Sequence, residues 1–145
     1  MYDIHTVNVM KLSDKATTPT KAHTQDAGWD LYSSEDVVRI PPKTRYTVKT
    51  DIALEMPTYF AGLIWPRSGL SVKNGVDVLA GVVDSGYRGE IMVCLYNTGD
   101  KDVLIKHGDR IAQIIFQDVP EVGITVIDSL GSSQRGSDGF GSTGT

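Results

Sequence analysis

Residues suited to phosphate binding occur at two separate places in the chain. Arg67 and Ser68 follow the apolar stretch IWP, and Gly69 comes next. A short helix is predicted to begin at Ser68. A guanidinium, a hydroxyl and free backbone N–H groups are therefore expected at the positive end of a helix dipole, which suits an anion and above all phosphate. The carboxyl-terminal stretch RGSDGFGSTGT carries a second set of phosphate-type donors among its glycines, namely Arg135, Ser142 and Thr143.

Carboxylates, an amide and aromatic rings accompany these donors. Asp30 lies in AGWDLY, Asp84 follows two valines in AGVVDSGYRGE, and Gln113 interrupts RIAQIIF. Alone, each is typical of a turn, a cap or an outward strand position. Together, carboxylates can hold Mg²⁺ or activate water, and the rings of Tyr87 and Phe140 offer flat faces to a base or a sugar. The combination predicts a nucleotide polyphosphate site with the glycine-rich tail as a lid.

The elements that must position these residues are predicted to be short β-strands. Apolar runs rich in Val, Ile and Tyr recur between Gly, Pro, Asn and Asp, which predicts an all-β sandwich, jelly roll or barrel. The runs are IHTVNVM, WDLYSS, VVRIPP, RYTVKTDIALEM, YFAGLIW, VDVLAGVV, EIMVCLYN, DVLIK, RIAQIIF and GITVID. One short helix is predicted in SGLSVKNG, with Ser68 as its cap and Gly75 at its end. The sequence does not decide whether RIAQIIF is a helix or a strand, because Ile111, Ile114 and Ile115 lie at helical spacing in a run short enough for a strand.

The composition limits the class of protein. The chain has 145 residues, enough for one domain with a hydrophobic core. Its net charge of −4 argues against nucleic acid as a partner, since sequence-independent binding needs a basic face. The single cysteine, Cys94, excludes an intrachain disulfide and a cysteine-rich zinc site, and its apolar neighbours predict that it is buried. The sequence shows no signal-peptide pattern and no long apolar span, so we expect a cytoplasmic protein that has no membrane partner.

Five segments resemble, in order, the five motifs of the homotrimeric dUTP pyrophosphatases, or dUTPases. They are AGWDLYS from Ala27, PRSGLS from Pro66, AGVVDSGYRGE from Ala80, GDRIAQIIF from Gly108 and RGSDGFGSTG from Arg135. The resemblance implies an all-β, distorted jelly-roll β-barrel with one short helix, in which RIAQIIF is a strand. It also implies a homotrimer with a swapped flexible C-terminal tail and active sites at subunit interfaces. We accordingly expect a jelly-roll domain over residues 1–130 and a flexible lid over residues 131–145.

The resemblance further implies a reaction, the hydrolysis of dUTP to dUMP and pyrophosphate with Mg²⁺ as cofactor. This reaction limits uracil in DNA and supplies dUMP for thymidylate synthesis. Asp84 matches the carboxylate that activates the attacking water, and Tyr87 matches the ring that lies against the deoxyribose and leaves no room for a 2′-hydroxyl. Arg67, Ser68 and Gly69 match the phosphate-binding turn, with Ser68 near the leaving pyrophosphate. Uracil is read in the family mostly by backbone groups of a hairpin, here the segment with Leu79, Gly81, Val82 and Val83.

The remaining roles come from the same resemblance. Gln113 matches the amide beside the α-phosphate, and Asp30 matches the acid that reaches the metal through water. In the tail, Arg135 matches the guanidinium at the γ-phosphate and Phe140 the ring stacked over uracil. The substrate-binding set is completed by the end of the tail: Gly141, Ser142 and Thr143. The glycines would let the tail wrap closely over a bound nucleotide, and the entropy lost on ordering would be offset only when substrate is present.

Two other functions stay open from the sequence. A dCTP deaminase has the same fold and the first motif but attacks the base, and a regulatory binding protein would use its nucleotide state to contact a partner. Tyr87 after Asp84, and Phe140 in the tail, favour the dUTPase. Two departures from the family pattern have open effects: Gly86 stands where many relatives have an acidic residue, and Asp138 where they often have Gly. Also open are the source, the selectivity for dUTP over dCTP and dTTP, and a nuclear location in a eukaryotic or viral setting.

Overall fold

The protein is an all-β molecule with one short helix, as the sequence predicts. The structure is a computed structural model that describes residues 5–144, so residues 1–4 and 145, at the outer ends of the predicted domain and lid, lie outside the described residues. The elements in chain order are β1 (Asn8–Lys11), β2 (Trp29–Tyr32), β3 (Val37–Ile40), β4 (Arg45–Glu55), β5 (Phe60–Trp65), α1 (Ser68–Asn74), β6 (Val76–Leu79), β7 (Val82–Asp84), β8 (Glu90–Asn97), β9 (Val103–Lys106) and β10 (Arg110–Asp118).

The strands form two four-stranded sheets and one two-stranded sheet, all antiparallel. The strand orders are β1–β4–β8–β6, β2–β10–β5–β7 and β3–β9. Buried side chains from all three sheets form one hydrophobic core, among them Leu31, Val48, Ile64, Ile91 and Ile105. The predicted jelly roll is therefore confirmed, with apolar inner faces packed against one another.

Strand β8 shows how the sequence directs its side chains. Ile91, Val93 and Leu95 are buried in the core, and the residues between them point to the opposite face. Cys94 belongs to that opposite face, so it is only half buried and lines a cavity. The prediction of a buried cysteine was therefore wrong, because the period of two places Cys94 away from the core.

RIAQIIF is a strand, as the resemblance implies. It lies in β10, which pairs with β2 on one side and β5 on the other. A register shift between Arg110 and Ala112 interrupts the alternation, so that Ile111 and Ala112 are both buried, and Ile114 follows at an inward position. The bulge explains why the apolar spacing of this strand looks helical.

The predicted short helix is present, with its cap one residue earlier than predicted. Arg67 occupies the cap position in an extended conformation without a side-chain cap bond, and Ser68 is the first helical residue. The prediction of Ser68 as the cap was therefore wrong, whereas Gly75 ends the helix as predicted. Gly75 has φ 69°, and a Cβ there would lie 2.8 Å from Thr98 Oγ1, so both the left-handed backbone and the space require glycine.

The segment after β10 differs from its prediction. GITVID was predicted to be a strand, yet no strand follows Asp118 up to residue 144. Ile124 and Val126 are 94% and 95% exposed, so this segment packs on nothing within the described chain. A strand needs a partner for its backbone groups, and the described chain offers none to this segment. We call residues 119–130 the arm and residues 131–144 the tail.

None of the helices in the described chain has the length and apolar character needed to cross a membrane.

Candidate active site

Five predicted site residues line one cavity of about 280 Å³, which we call the cation cavity. They are Asp30, Arg67, Ser68, Gly69 and Gln113, and Arg110 joins them. Strand β10 brings them together, because its residue Gln113 stands opposite Asp30 of β2 on one side and Trp65 of β5 on the other. The chain leaves β5 at Trp65 and enters α1 directly, which places the start of the helix beside the same part of β10.

Asp30 is held between two guanidinium groups. Arg67 Nε donates a hydrogen bond to Asp30 Oδ1 at 3.1 Å, and Arg110 Nη1 lies 3.7 Å from Asp30 Oδ2. The Asp30 side chain is 17% exposed, against 33% for Arg67 and 50% for Arg110. Around Asp30 itself the two guanidinium groups outnumber the carboxylate, and their N–H groups are donors of the kind that phosphate accepts, although Asp26 on the same wall brings the formal charge of the cavity to zero.

Arg110 was not among the predicted site residues. It precedes the apolar run of RIAQIIF, where a charged residue at the first position of a strand is usually read as solvent-exposed. Its spacing gave no signal, because residues three apart in a regular strand point to opposite faces, and the register shift between Arg110 and Ala112 brings Arg110 to the side of Gln113.

Gln113 is fixed in the cation cavity by a hydrogen bond and by close packing. Its Nε2 donates to the backbone carbonyl of Pro66 at 3.0 Å. A Cβ at Gly28 would lie 2.5 Å from Gln113 Oε1 and 3.0 Å from Gln113 Cβ. Gly28 therefore leaves the space that the glutamine side chain fills, a role that the sequence pattern does not indicate.

A second cavity of about 320 Å³, which we call the apolar cavity, holds the other predicted site residues of the domain. They are Leu79, Gly81, Val82, Val83, Asp84 and Tyr87. Strand β6 pairs with β8 in one sheet and β7 pairs with β5 in the other, so the short connection between β6 and β7 crosses from sheet to sheet. The crossing places backbone groups and small apolar side chains on the wall of a pocket suited to a flat, largely uncharged group.

The crossing depends on a sharp turn at two residues. Ala80 and Gly81 have φ values of 62° and 114°. The carbonyl of Gly81 accepts a hydrogen bond from the Ile64 backbone N–H at 2.7 Å, and a Cβ at Gly81 would lie 2.7 Å from Ile64 O. Glycine at this position is required by both the φ angle and the close approach of the two backbones.

Asp84 and Tyr87 lie on one turn at the mouth of the apolar cavity. Asp84 is the last residue of β7 and is exposed. Its carbonyl accepts a hydrogen bond from the Tyr87 N–H at 3.1 Å, and the Tyr87 hydroxyl donates to the carbonyl of Glu90 at 2.9 Å. A carboxylate and a ring are thus held near each other by backbone bonds of a single turn.

The two cavities are separate within one chain. Their linings share no residue, so Asp84 is not in the same pocket as Ser68, Arg67 or Gln113. The predicted site residues of the domain are therefore gathered into two groups, and a single chain does not combine them.

The tail residues lie in neither cavity. Arg135 Nε donates to the carbonyl of Asp138 at 2.7 Å, and the Ser142 N–H donates to the carbonyl of Gly139 at 3.1 Å. Phe140 is fully exposed. In the described chain the predicted tail residues Arg135, Phe140, Gly141, Ser142 and Thr143 are therefore exposed and away from the rest of the site.

The oxygen ligands of the cation cavity fit Mg²⁺ only together with a substrate. Among residues 5–144, no three His, Cys, Asp or Glu side chains lie close enough to hold a metal ion. The cavity contains the carboxylates of Asp26 and Asp30, and Asp30 is already paired with two guanidinium groups. Mg²⁺ commonly keeps several waters and binds one or two carboxylates together with substrate phosphates, which this donor set allows.

Comparison with known proteins identifies the family. The sequence model of the dUTPase family matches residues 14–144. The chain belongs to the dUTPase family. The deoxyuridine 5'-triphosphate nucleotidohydrolase of Paramecium bursaria Chlorella virus 1 is 48% identical over 136 residues, which cover 94% of this chain and 96% of the relative. The enzyme of the same name from Saccharomyces cerevisiae is 49% identical over 133 residues, with 91% and 90% covered.

Solved dUTPase structures share the fold. The dUTPase of Staphylococcus bacteriophage 80alpha with dUpNHpp matches with a TM-score of 0.91 and 28% identity, covering 97% of this chain and 99% of that chain. A mutant dUTPase from phage phi11 of S. aureus, described with a structural Mg(II) ion, matches with a TM-score of 0.82 and 25% identity, covering 88% and 99%. The family and this second dUTPase point to a divalent metal.

Proposed function

We propose that the protein is a dUTP nucleotidohydrolase that cleaves dUTP to dUMP and pyrophosphate. The match of the dUTPase family model over residues 14–144 carries the proposal. The relatives named above are deoxyuridine 5'-triphosphate nucleotidohydrolases, which favours hydrolysis at phosphate over the deaminase alternative. Cleavage of dUTP needs an apolar place for the nucleoside and a cationic place for the triphosphate, and the chain has a cavity of each kind.

The apolar cavity is proposed to bind the nucleoside. The 80alpha structure with dUpNHpp supports a deoxyuridine nucleotide as the ligand. Backbone groups of the β6–β7 connection, from Leu79 to Val83, would read the uracil edge, and Tyr87 would close the pocket against the sugar. A ring packed in this place rejects a ribose 2′-hydroxyl by shape, a form of discrimination that reaches only about 10²-fold.

The cation cavity is proposed to bind the triphosphate. The guanidinium of Arg67, the hydroxyl of Ser68 and the amide of Gln113 would contact phosphate oxygens, and Arg110 would add charge beside Asp30. Mg²⁺ would be held by phosphate oxygens, with Asp30 contacting it through water, and when bound it would neutralise charge on the leaving pyrophosphate. Fixed positive groups at this position stabilise the negative charge that develops during the reaction.

Asp84 is the proposed general base. It would take a proton from a water molecule whose oxygen attacks the α-phosphorus. The bond between the α-phosphorus and the bridging oxygen then breaks, pyrophosphate leaves with that oxygen, and dUMP keeps the oxygen of the water. A placed base contributes about 10²–10⁴-fold to such a step.

We infer that the active enzyme is a homotrimer whose subunits share their sites. Two observations support this: the Asp84 cavity and the Ser68 cavity are separate in one chain, and the exposed apolar side chains of the arm need a surface to cover them. An arm that crosses to a neighbour would carry the tail to a site on another subunit. There Arg135, Phe140 and the hydroxyls of the tail would close over the nucleotide.

A product assay tests the function. The purified protein is incubated with each deoxynucleoside triphosphate and Mg²⁺, and pyrophosphate, inorganic phosphate and ammonia are measured separately. We expect pyrophosphate from dUTP and no ammonia, whereas ammonia from dCTP would contradict the proposal. Asp84→Asn should bind a non-hydrolysable dUTP analogue normally and lose most of kcat, and a variant that kept more than about a tenth of kcat would show that Asp84 is not the base.

A mixing experiment tests the shared sites. Asp84→Asn chains with intact tails are refolded with an equal amount of chains that have Asp84 but lack residues 131–145. Random assembly makes about three-quarters of the trimers mixed, and each mixed cyclic trimer has one complete site in three, so about a quarter of wild-type activity should return. If native mass spectrometry shows mixed trimers but no activity returns, one chain supplies both groups and the sharing is wrong.

A further inference from the structure

The ring of Tyr87 lies folded back over the turn that carries it. Its backbone N–H is bonded to the carbonyl of Asp84, and its hydroxyl is bonded to the carbonyl of Glu90. The side chain is 45% exposed and forms part of the wall of the apolar cavity. Tyr87 is therefore fixed at its backbone N–H and at its hydroxyl, and the side chain between these two groups passes close to Gly89.

Gly89 leaves the space that this path requires. A Cβ at position 89 would lie 2.5 Å from Tyr87 Oη, 2.7 Å from Cζ and 3.0 Å from Cε2. The first two distances are shorter than real Cβ contacts, so an alanine would force the ring to move. Gly89 is not among the glycines with positive φ in the described chain, so alanine would meet no backbone strain there and the ring contact is the obstacle.

We propose that Gly89 is a positioning residue for sugar specificity, an inference that rests on the proposed function. It leaves room for the Tyr87 ring beside the turn, where the Glu90 carbonyl fixes the hydroxyl and the residue lines the apolar cavity. With a side chain at position 89, the ring leaves this position and the hydroxyl loses its partner. The wall against the sugar is then no longer fixed, and a ribose with a 2′-hydroxyl enters more easily.

The same turn provides a matched control. At Gly86, three residues before Gly89, an added Cβ would meet no atom within 4 Å, and Gly86 also lacks a positive φ. Gly86→Ala and Gly89→Ala therefore change the same turn by the same methyl group, and only the second touches the ring.

The experiment measures kcat and KM for dUTP and UTP in the wild type and in four variants. These are Gly89→Ala, Gly86→Ala, Tyr87→Ala and the double variant Tyr87→Ala/Gly89→Ala. Gly89→Ala should raise the UTP/dUTP ratio of kcat/KM about 10- to 100-fold, the range available to a pocket that rejects a hydroxyl by shape. Gly86→Ala should leave the ratio within about twofold, and adding Gly89→Ala to Tyr87→Ala should change it by no more than about twofold, because the ring is already absent.

The outcomes separate the inference from the proposed function. A wild type that does not hydrolyse dUTP overturns the function. A wild type that does so, with an unchanged ratio in Gly89→Ala, overturns the inference alone, as does an equal change in Gly86→Ala or a full additional effect in the double variant. If Gly89→Ala does not fold but the double variant does, the ring contact is the cause, and the inference then stands if Tyr87→Ala raises the UTP/dUTP ratio and fails if it does not. If neither folds, the backbone needs Gly89 for another reason and the inference fails.

Discussion

Replacing Asp30 by alanine should lower the stability of the protein in the absence of a nucleotide. Nucleotide binding should offset part of this loss. The Asp30 carboxylate accepts a hydrogen bond from Arg67 at 3.1 Å and faces Arg110 at 3.7 Å. In Asp30→Ala the two guanidinium groups remain near each other without the anion between them. A triphosphate would supply oxygens in the same place, so the unfavourable charge would be relieved by the ligand.

The structure sets the size of the effect. A hydrogen bond to a charged group contributes about 1.5–3 kcal/mol, and the low exposure of Asp30 places the Arg67 bond in this range. The Arg110 pair is longer and half exposed, so it adds no more than about 1 kcal/mol. We expect the free energy of unfolding to fall by about 2 kcal/mol, which corresponds to a Tm lower by about 4–8 °C for a chain of this size.

Thermal unfolding at one fixed protein concentration measures the effect, because the proposed trimer would make Tm depend on concentration. Arg110→Gln is the control that removes only the longer pair, and its Tm should change by less than about 4 °C. Without Mg²⁺, a non-hydrolysable dUTP analogue should raise the Tm of Asp30→Ala at least as much as that of the wild type. A smaller rise would refute the idea that Asp30 balances the two cations in place of phosphate. If the analogue raises the Tm of Asp30→Ala less than that of the wild type only when Mg²⁺ is present, Asp30 acts through the metal instead.

Two further predictions concern a close contact and a pH dependence. Gly28→Ala should displace the Gln113 side chain and lower kcat for dUTP more than it changes KM, and steady-state kinetics with an unchanged kcat would contradict the positioning of Gln113 by Gly28. The pKa of Asp51 lies below its ordinary value of about 3.9, mainly because the Ser13 hydroxyl donates a hydrogen bond to its carboxylate. Wild type should therefore be more stable than Asp51→Asn above about pH 4, and the difference in free energy of unfolding should vanish as the pH falls through the lowered pKa. Urea unfolding at a series of pH values measures this difference. A difference that does not change with pH would contradict the prediction.

The sequence predicts the fold well where local rules and burial agree. The strand in EIMVCLYN and the glycine that ends α1 were predicted from the sequence, because an apolar run between turn residues and a left-handed cap are local properties. The strand at RIAQIIF was decided by family resemblance, since its bulge makes the spacing helical. GITVID was predicted as a strand from composition, but a strand also needs a partner, and the described chain provides none.

The predicted site residues include both groups that line the cavities, but they omit the residues that hold these groups in place. Gly28 and Gly89 matter because they have no side chain. Gln113 fills the space beside Gly28 and Tyr87 fills the space beside Gly89, and only the folded backbone brings these residues together. Arg110 was missed for a similar reason, because its partner Asp30 lies on another strand, eighty positions earlier in the chain. Such pairings depend on sheet register, which the sequence does not state.

The proposed sharing of sites between subunits would account for the apolar surface that the arm exposes in the described chain. A single-chain site would need Asp84 and Ser68 in one pocket, and the crossing from β6 to β7 places Asp84 in a cavity that Ser68 does not line. The proposed base and the proposed phosphate donors would then meet across a contact between chains. The exposed Ile124 and Val126 would stabilise such a contact by leaving water, with each buried methylene contributing about 0.8 kcal/mol. The same burial that holds the subunits together would fix where the tail starts, so that assembly and closure of the site depend on one segment.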